Sequence, residues 1–267
     1  MAPGDDQGPA ALQTAAVVWA STVAFRRGAE MPSPRPGDAT TGRGEHFPPL
    51  YKLLRLGCTP LLRWLFDLRV IGIDHLPASG PFIVAANHHN YMDGVVLGVA
   101  LPRPIAFVVM PRVFNASPLH PLFHRRIGSI RVSLERPDPG AIRRVLRVLD
   151  SGRVLGIFPE GPFSRKGQLV PGQPGVAMIA LRSGMPVVPA AIDGTYEALV
   201  GRRFHVPRRH PLSVRFGAPM LFGRTRHGRV TRAAREDVTR RIMAEIAALL
   251  GAERTPVTAP TDRAGTS

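Results

Sequence analysis

Cysteine is the scarcest chemistry in this chain: Cys58 stands alone among 267 residues. No internal disulfide can form, and no cysteine-based zinc site can be assembled. A single thiol fits a reducing cytoplasm. Long apolar runs are also missing, since no stretch reaches the ~20 residues that span a bilayer as a helix. The nearest, residues 10–25, is broken by Gln13, Thr14, Ser21 and Thr22. Asp5 and Asp6 precede it, where a secretory signal would carry basic residues, so it reads as a weak helix or a disordered leader. Acidic side chains are few, 19 against 35 Lys and Arg, and the net charge is +16. Such a balance favours anionic partners: nucleic acid, acidic lipid headgroups or phosphorylated substrates. Several catalytic motifs are absent as well. There is no Gly-x-Ser-x-Gly nucleophile elbow, no P-loop and no dinucleotide fingerprint. His120-Pro-Leu-Phe-His124 lacks the glutamate of a zincin, so no metal is expected at His88, His89, His120 or His124. No nucleic-acid-binding module is recognisable.

What is present suits one α/β domain with tails. Hydrophobic residues make up 44% of the chain, enough for a core. Residues 28–49 are rich in Pro and Gly, and residues 252–267 are polar with two prolines, so residues 1–47 form a leader and linker and 252–267 a disordered tail. The folded part is 48–251. It opens on Leu50, Leu53, Leu54, Leu56, Leu61, Leu62, Trp64 and Phe66 interleaved with Lys52, Arg55 and Arg63. Gly57 and Pro60 split this run into two short helices. Leu and Trp beside cations suit a helix pair lying in a membrane interface, and equally a pair of core helices. Beyond it, β-rich runs at 70–73, 82–86, 105–110, 130–132, 154–158, 187–192 and 212–216 alternate with helical patterns. Ile142, Val145, Leu146 and Leu149 mark one helix, which Gly152 stops. Residues 176–183 mark a second, which Gly184 stops. The last begins after Thr231, a plausible N-cap, and runs to Gly251. The alternation predicts a mixed central β-sheet flanked by helices on both faces, with the site in loops at the strand ends.

Two such loops carry chemistry. The first is Asn87-His88-His89-Asn90-Tyr91-Met92-Asp93-Gly94, directly after the strand at 82–86. Five residues of ideal helix turn through about 500°, which would separate His88 from Asp93. They meet only if the chain turns between them and a helix starts near Asp93, where a carboxylate is favoured. Asp93 would then engage one imidazole nitrogen and leave the other as a base, the logic of a hydrolase triad without its serine. The alternative is a His and an Asp that cap a turn. The second loop is Phe158-Pro159-Glu160-Gly161-Pro162-Phe163-Ser164-Arg165. Pro159 fixes the chain direction, Gly161 permits a sharp turn, Glu160 can accept from hydroxyls, and Arg165 and Lys166 can hold a phosphate. The alternative there is a strand–turn with a solvated charge cluster.

His88-x4-Asp93, with Phe158-Pro-Glu160-Gly161 following 70 residues after His88, resembles the glycerophospholipid acyltransferase family. Gly128-Ser-Ile-Arg131-Val132 to Arg136 is similar to its second, arginine-bearing block, and Pro186-Val-Val-Pro189-Ala-Ala-Ile192-Asp-Gly194 to its fourth. The resemblance implies that His88 deprotonates an acceptor hydroxyl, that Asp93 orients it, and that the hydroxyl attacks the thioester of acyl-CoA or acyl-carrier protein directly. It implies no further cofactor, no metal and no acyl-enzyme. Glu160, Gly161, Arg131 or Arg136, with Ser164 and Arg165, would hold a lysophospholipid acceptor, typically 1-acylglycerol-3-phosphate. Residues 48–66 would dock on an anionic membrane at its cytoplasmic face. The chain departs from the family pattern at Asn90, where serine is usual, at Pro162-Phe163, where Thr-Arg is usual, and at Leu134, where the second-block arginine is usual. These departures leave room for another lipid acceptor, or for a lipid-binding protein without activity.

Overall fold

The computed structural model describes residues 48–132, 139–161, 167–199, 206–225 and 228–251. The expected leader at 1–47 and tail at 252–267 lie outside the described residues. In chain order the elements are α1 (Pro49–Phe66), β1 (Arg69–Ile71), β2 (Ile83–Ala86), α2 (Met92–Ala100), β3 (Ile105–Val109), α3 (Pro111–Phe114), α4 (His120–Ile127), β4 (Ile130–Arg131), α5 (Pro139–Asp150), β5 (Val154–Ile157), α6 (Gly175–Ser183), β6 (Val187–Asp193), α7 (Thr195–Ala198), β7 (Ser213–Phe216) and α8 (Arg232–Gly251).

The seven strands form one sheet in the order β1-β7-β6-β2-β5-β3-β4. The five from β6 to β4 run parallel, and β7 reverses direction against β6. The central strands are buried on both faces, so they read as continuous apolar runs and not as alternation. Their residues still divide by the two-residue period of a strand. On β2, Ile83 and Ala85 pack with Val145 and Leu149 of α5, Val176 and Ile179 of α6, and Ile242 and Ile246 of α8. Phe82, Val84 and Ala86 pack with Leu62 and Phe66 of α1 and Val96 and Leu97 of α2. Helices thus cover both faces. The side chain of Thr231 caps α8, accepting from the Ala234 N–H at 3.2 Å.

α1 differs from expectation. One helix of 18 residues runs through Gly57 and Pro60, where two were predicted. Local propensity opposes this, because Pro60 lacks the N–H that would reach Leu56 and Gly57 costs about 1 kcal/mol in a helix interior. Packing on both sides of the break decides the matter. Tyr51 lies before it and Leu62 and Phe66 after it, all buried in one core. The Tyr51 hydroxyl donates to the Gly98 carbonyl at 3.1 Å and accepts from the Ile105 N–H at 3.5 Å, tying α1 to α2 and β3. Burial pushes that phenol up to about 12.

Candidate active site

β2 and β5 are parallel neighbours, so the turns that follow them open on the same edge of the sheet. Ligands gather at such carboxyl ends in open α/β sheets. Asn87, the first residue beyond β2, continues the ladder with its side chain. Its Nδ2 donates to the Ile192 carbonyl at 2.8 Å and its Oδ1 accepts from the Ile192 N–H at 2.7 Å. A carboxamide carries one donor and one acceptor in the spacing of a peptide group, so it can replace a strand residue at the point where the chain must turn away.

The turn folds His88 back over the start of α2. Asp93 sits in the first helical turn and is fully buried, at 0% exposure. Its Oδ2 accepts three hydrogen bonds: from His88 Nδ1 at 2.8 Å, from the His89 N–H at 2.6 Å and from the Asn90 N–H at 2.8 Å. Two backbone N–H groups already point at this oxygen, so it is an acceptor toward the ring as well and Nδ1 carries the proton. The spacing of five residues that an ideal helix forbids is reached because the helix begins only at Met92. Asn90 secures the turn from the other side. Its Oδ1 accepts from the Met92 N–H at 2.9 Å, and its Nδ2 donates to the carbonyls of Thr195 at 2.7 Å and Leu199 at 3.2 Å. A serine in this place would lack the reach to α7. The His88 ring lies flat on Phe158, with centroids 3.9 Å apart and planes 7° apart, and Phe158 stacks in turn on Phe107.

Glu160, at the end of the β5 turn, is 2% exposed. One of its oxygens accepts from the backbone N–H of His88 at 2.7 Å, and the other from that of Val170 at 2.9 Å. Burial raises its carboxyl above the ordinary value, against the opposing pull of those two N–H groups and of His89 and His88. The sequence offered Glu160 to an acceptor. The bonds observed clamp the His88 turn to the β5 turn across 72 positions of chain. Gly161 takes a φ of +78° and closes a tight turn on the Phe158 carbonyl at 3.1 Å, the left-handed conformation for which glycine was expected there. His89 is buried edge-on to Tyr196, with centroids 6.0 Å apart. Neither of its ring nitrogens has a hydrogen-bond partner among the described residues.

Of the predicted site residues, the structure therefore brings His88, Asp93, Glu160 and Gly161 together. Arg131 ends β4, the edge strand, in register with Val109. It is exposed, at the same carboxyl edge, with β5 and β3 between its strand and β2. Arg136, Ser164 and Arg165 lie outside the described residues. Asn87 and the backbone role of Glu160 were not foreseen, because their partners are remote in sequence and leave no local pattern.

Known proteins resemble this chain in sequence and in fold. Residues 67–193 match the family model described as Acyltransferase. The 1-acyl-sn-glycerol-3-phosphate acyltransferase of Bacillus subtilis is 32% identical over 142 residues, covering 51% of this chain and 70% of that protein. A chloroplastic 1-acyl-sn-glycerol-3-phosphate acyltransferase of Brassica napus is 30% identical over 130 residues, covering 46% of this chain and only 36% of the plant protein. The crystal structure of the 1-acyl-sn-glycerophosphate (LPA) acyltransferase from Thermotoga maritima shares the fold. It superposes with a TM-score of 0.62 at 22% identity, over 89% of this chain and 88% of that one.

Proposed function

From the chain's membership of the glycerophospholipid acyltransferase family, a family of O-acyltransferases, we propose that it moves a fatty acyl group from acyl-CoA or acyl-carrier protein to a lysophospholipid hydroxyl, with His88 as general base. The observation that carries this reading is the 2.8 Å bond from His88 Nδ1 to buried Asp93. It fixes the tautomer and leaves the base function to Nε2. Nε2 takes the acceptor's O–H proton as the oxygen attacks the thioester carbonyl carbon. The tetrahedral intermediate collapses, the C–S bond breaks, and the departing sulfur takes the proton back from the imidazolium. The products are an ester and a free thiol, with no covalent enzyme intermediate. General-base assistance of this kind contributes roughly 10²–10⁴ in rate. The ring's stack on Phe158 and the Glu160 bond to its backbone hold both ends of the residue in place.

The acceptor named by the relatives is 1-acylglycerol-3-phosphate, and it is the first candidate here. Asn90, Leu134 and Pro162 depart from the usual blocks and favour testing other lysolipids beside it. The reading also makes the protein peripheral, at the cytoplasmic face of the membrane. Among the described residues no helix is long and apolar enough to cross a bilayer. α1 supports surface docking. Leu53, Leu56, Leu61 and Trp64 are exposed and, at about 100° per residue, share an arc of about 140° opposite buried Tyr51, Leu62 and Phe66. Lys52 and Arg63 border that arc along one side, and cations beside an apolar face suit an interfacial helix.

The test is thiol release from acyl-CoA and from acyl-carrier protein, with lysophosphatidic acid and a panel of lysolipids, for wild type and His88→Ala. Release that depends on both an acceptor and His88 is expected. If no acceptor elicits His88-dependent release, the chain is a lipid-binding protein on this scaffold.

A further inference from the structure

The segment between β3 and β4 takes no part in the chemistry above, yet it exposes three large apolar side chains close together in sequence. Leu119 is 74% exposed, Leu122 53% and Phe123 39%. At about 100° per residue, Leu119, Leu122, Phe123 and Arg126 fall on one side of α4 within an arc of about 100°. The opposite side is fixed inward. His124 is buried there, stacked on Phe114 with centroids 5.3 Å apart and bonded through Nδ1 to the Ser129 hydroxyl at 3.2 Å. The apolar side therefore cannot rotate into the core without dismantling that contact.

Charge selects the occupant. From Gly94 to Leu134 the sequence has five arginines and no aspartate or glutamate. Arg112 of α3 and Arg125 and Arg126 of α4 are exposed, and the two helices pack against each other. α4 packs against α1, which also carries cations and no acid. A second copy of this surface would meet it with like charge. An anionic bilayer meets it with opposite charge and an apolar interior. The segment leaves the sheet at Val109, on the carboxyl edge that also carries His88 and Glu160.

We infer that α3 and α4 form a second membrane contact beside α1, with Leu119, Leu122 and Phe123 entering the interface of an anionic phospholipid bilayer and Arg112, Arg125 and Arg126 on its headgroup phosphates. The inference rests on the reading of α1 as a docking helix and extends it. A single surface helix can roll about its own axis. A second contact removes that roll and holds the catalytic edge of the sheet toward lipid.

Two full-length single-tryptophan proteins separate the contacts. Trp19→Phe leaves Trp64 as the reporter on α1. Trp19→Phe with Trp64→Phe and Leu122→Trp places the reporter on α4. Both are mixed with phosphatidylglycerol–phosphatidylcholine vesicles, with and without brominated acyl chains. Blue-shifted emission and quenching by bromine are expected at both positions. Quenching of Trp64 while the reporter at position 122 keeps an aqueous spectrum overturns the second contact and leaves docking by α1 intact. Quenching at neither position overturns docking itself. A reporter at position 122 that is already blue-shifted without vesicles, and not quenched with them, shows the surface covered by residues 1–47 or another protein copy and overturns the proposal. Arg125→Gln with Arg126→Gln is expected to weaken binding to these vesicles by about five-fold per arginine, with binding to pure phosphatidylcholine unchanged. An equal loss on both vesicle types overturns the headgroup role of the arginines.

Discussion

Replacing Asp93 by asparagine separates folding from catalysis. The carboxylate makes all three of its bonds through Oδ2, and Oδ1 has no partner among the described residues. Asparagine can place its single oxygen where Oδ2 stands and its NH₂ where Oδ1 stands. The His88 ring and both backbone N–H groups then keep an acceptor. What is lost is the charge on three hydrogen bonds, about 1 kcal/mol each, offset by relief from burying a carboxylate. The destabilisation expected from a urea melt is therefore no more than about 3 kcal/mol. Catalysis is hit harder. When Nε2 takes a proton, an imidazolium forms 2.8 Å from Oδ2. At an effective dielectric of about 20 that pair is worth about 6 kcal/mol, or about 10⁴ in rate. The same change in a serine protease triad costs a similar factor. Thiol release by Asp93→Asn should fall by about 10³–10⁴ while the far-ultraviolet spectrum and the melt remain cooperative. The double variant with His88→Ala should be no slower than His88→Ala alone, because both act through one imidazole. A folded Asp93→Asn enzyme within about tenfold of wild type, or losses that multiply in the double variant, would refute the assigned pairing.

Glu160→Gln replaces one of two oxygens by a donor that must face a backbone N–H, so it should destabilise by about 1–3 kcal/mol and lower activity through His88. Because burial raises the Glu160 carboxyl above 4.5, the folded state holds more protons than the unfolded one in the window from that value up to the raised one. Wild-type stability relative to Glu160→Gln should therefore fall as pH rises through that window, and a relative gain in urea titrations would contradict the assignment. Burial, then His120, holds His124 below its usual 6.5, so the unfolded chain binds more protons there. Stability relative to His124→Gln should be lost as pH falls from about 6.5 through the depressed value, which melting temperatures across pH can check. A Cβ at Gly156 would stand 2.8 Å from the Phe107 ring and 2.7 Å from Ile105. Gly156→Ala should cost about 1–3 kcal/mol by chemical denaturation and lower kcat, since Phe107 supports the Phe158 ring under His88.

The sheet was legible because central parallel strands are short apolar runs set off by turn residues. All seven were located, with ends that moved where a local conformation intervened. Gly72, at a φ of +75°, ends β1 and puts Ile73 in a 3₁₀ turn. The helix break at Gly57 and Pro60 was misjudged, because propensity is local and the anchors Tyr51, Leu62 and Phe66 are tertiary. In the site, the spacing of His88 and Asp93 required a turn before a helix, and that arrangement is present. Glu160 could not be placed, since nothing in Pro-Glu-Gly shows that its oxygens meet the amides of His88 and Val170.

The two buried carboxylates together explain why this turn suits a base. Neither pairs with a lysine or arginine in the described structure. Their strongest partners are four backbone N–H groups, from His88, His89, Asn90 and Val170, and the His88 ring. Backbone dipoles satisfy a buried anion without adding a full positive charge. An arginine in either place would satisfy the carboxylate equally well, but it would also oppose the imidazolium that proton transfer creates. With amides as partners, the negative charge stays available to His88 at the moment its ring becomes cationic. The same arrangement makes the turn a poor place for an acceptor phosphate, which two carboxylates would repel. The cations that hold such a group must therefore come from outside this turn, and Arg131, at the same sheet edge on β4, is the described candidate. Arg131→Ala is expected to raise the KM of a phosphorylated acceptor about tenfold or more while leaving kcat near wild type, the loss of one charge-assisted bond. A fall in kcat at unchanged KM would place Arg131 in the chemical step and remove it as the phosphate ligand.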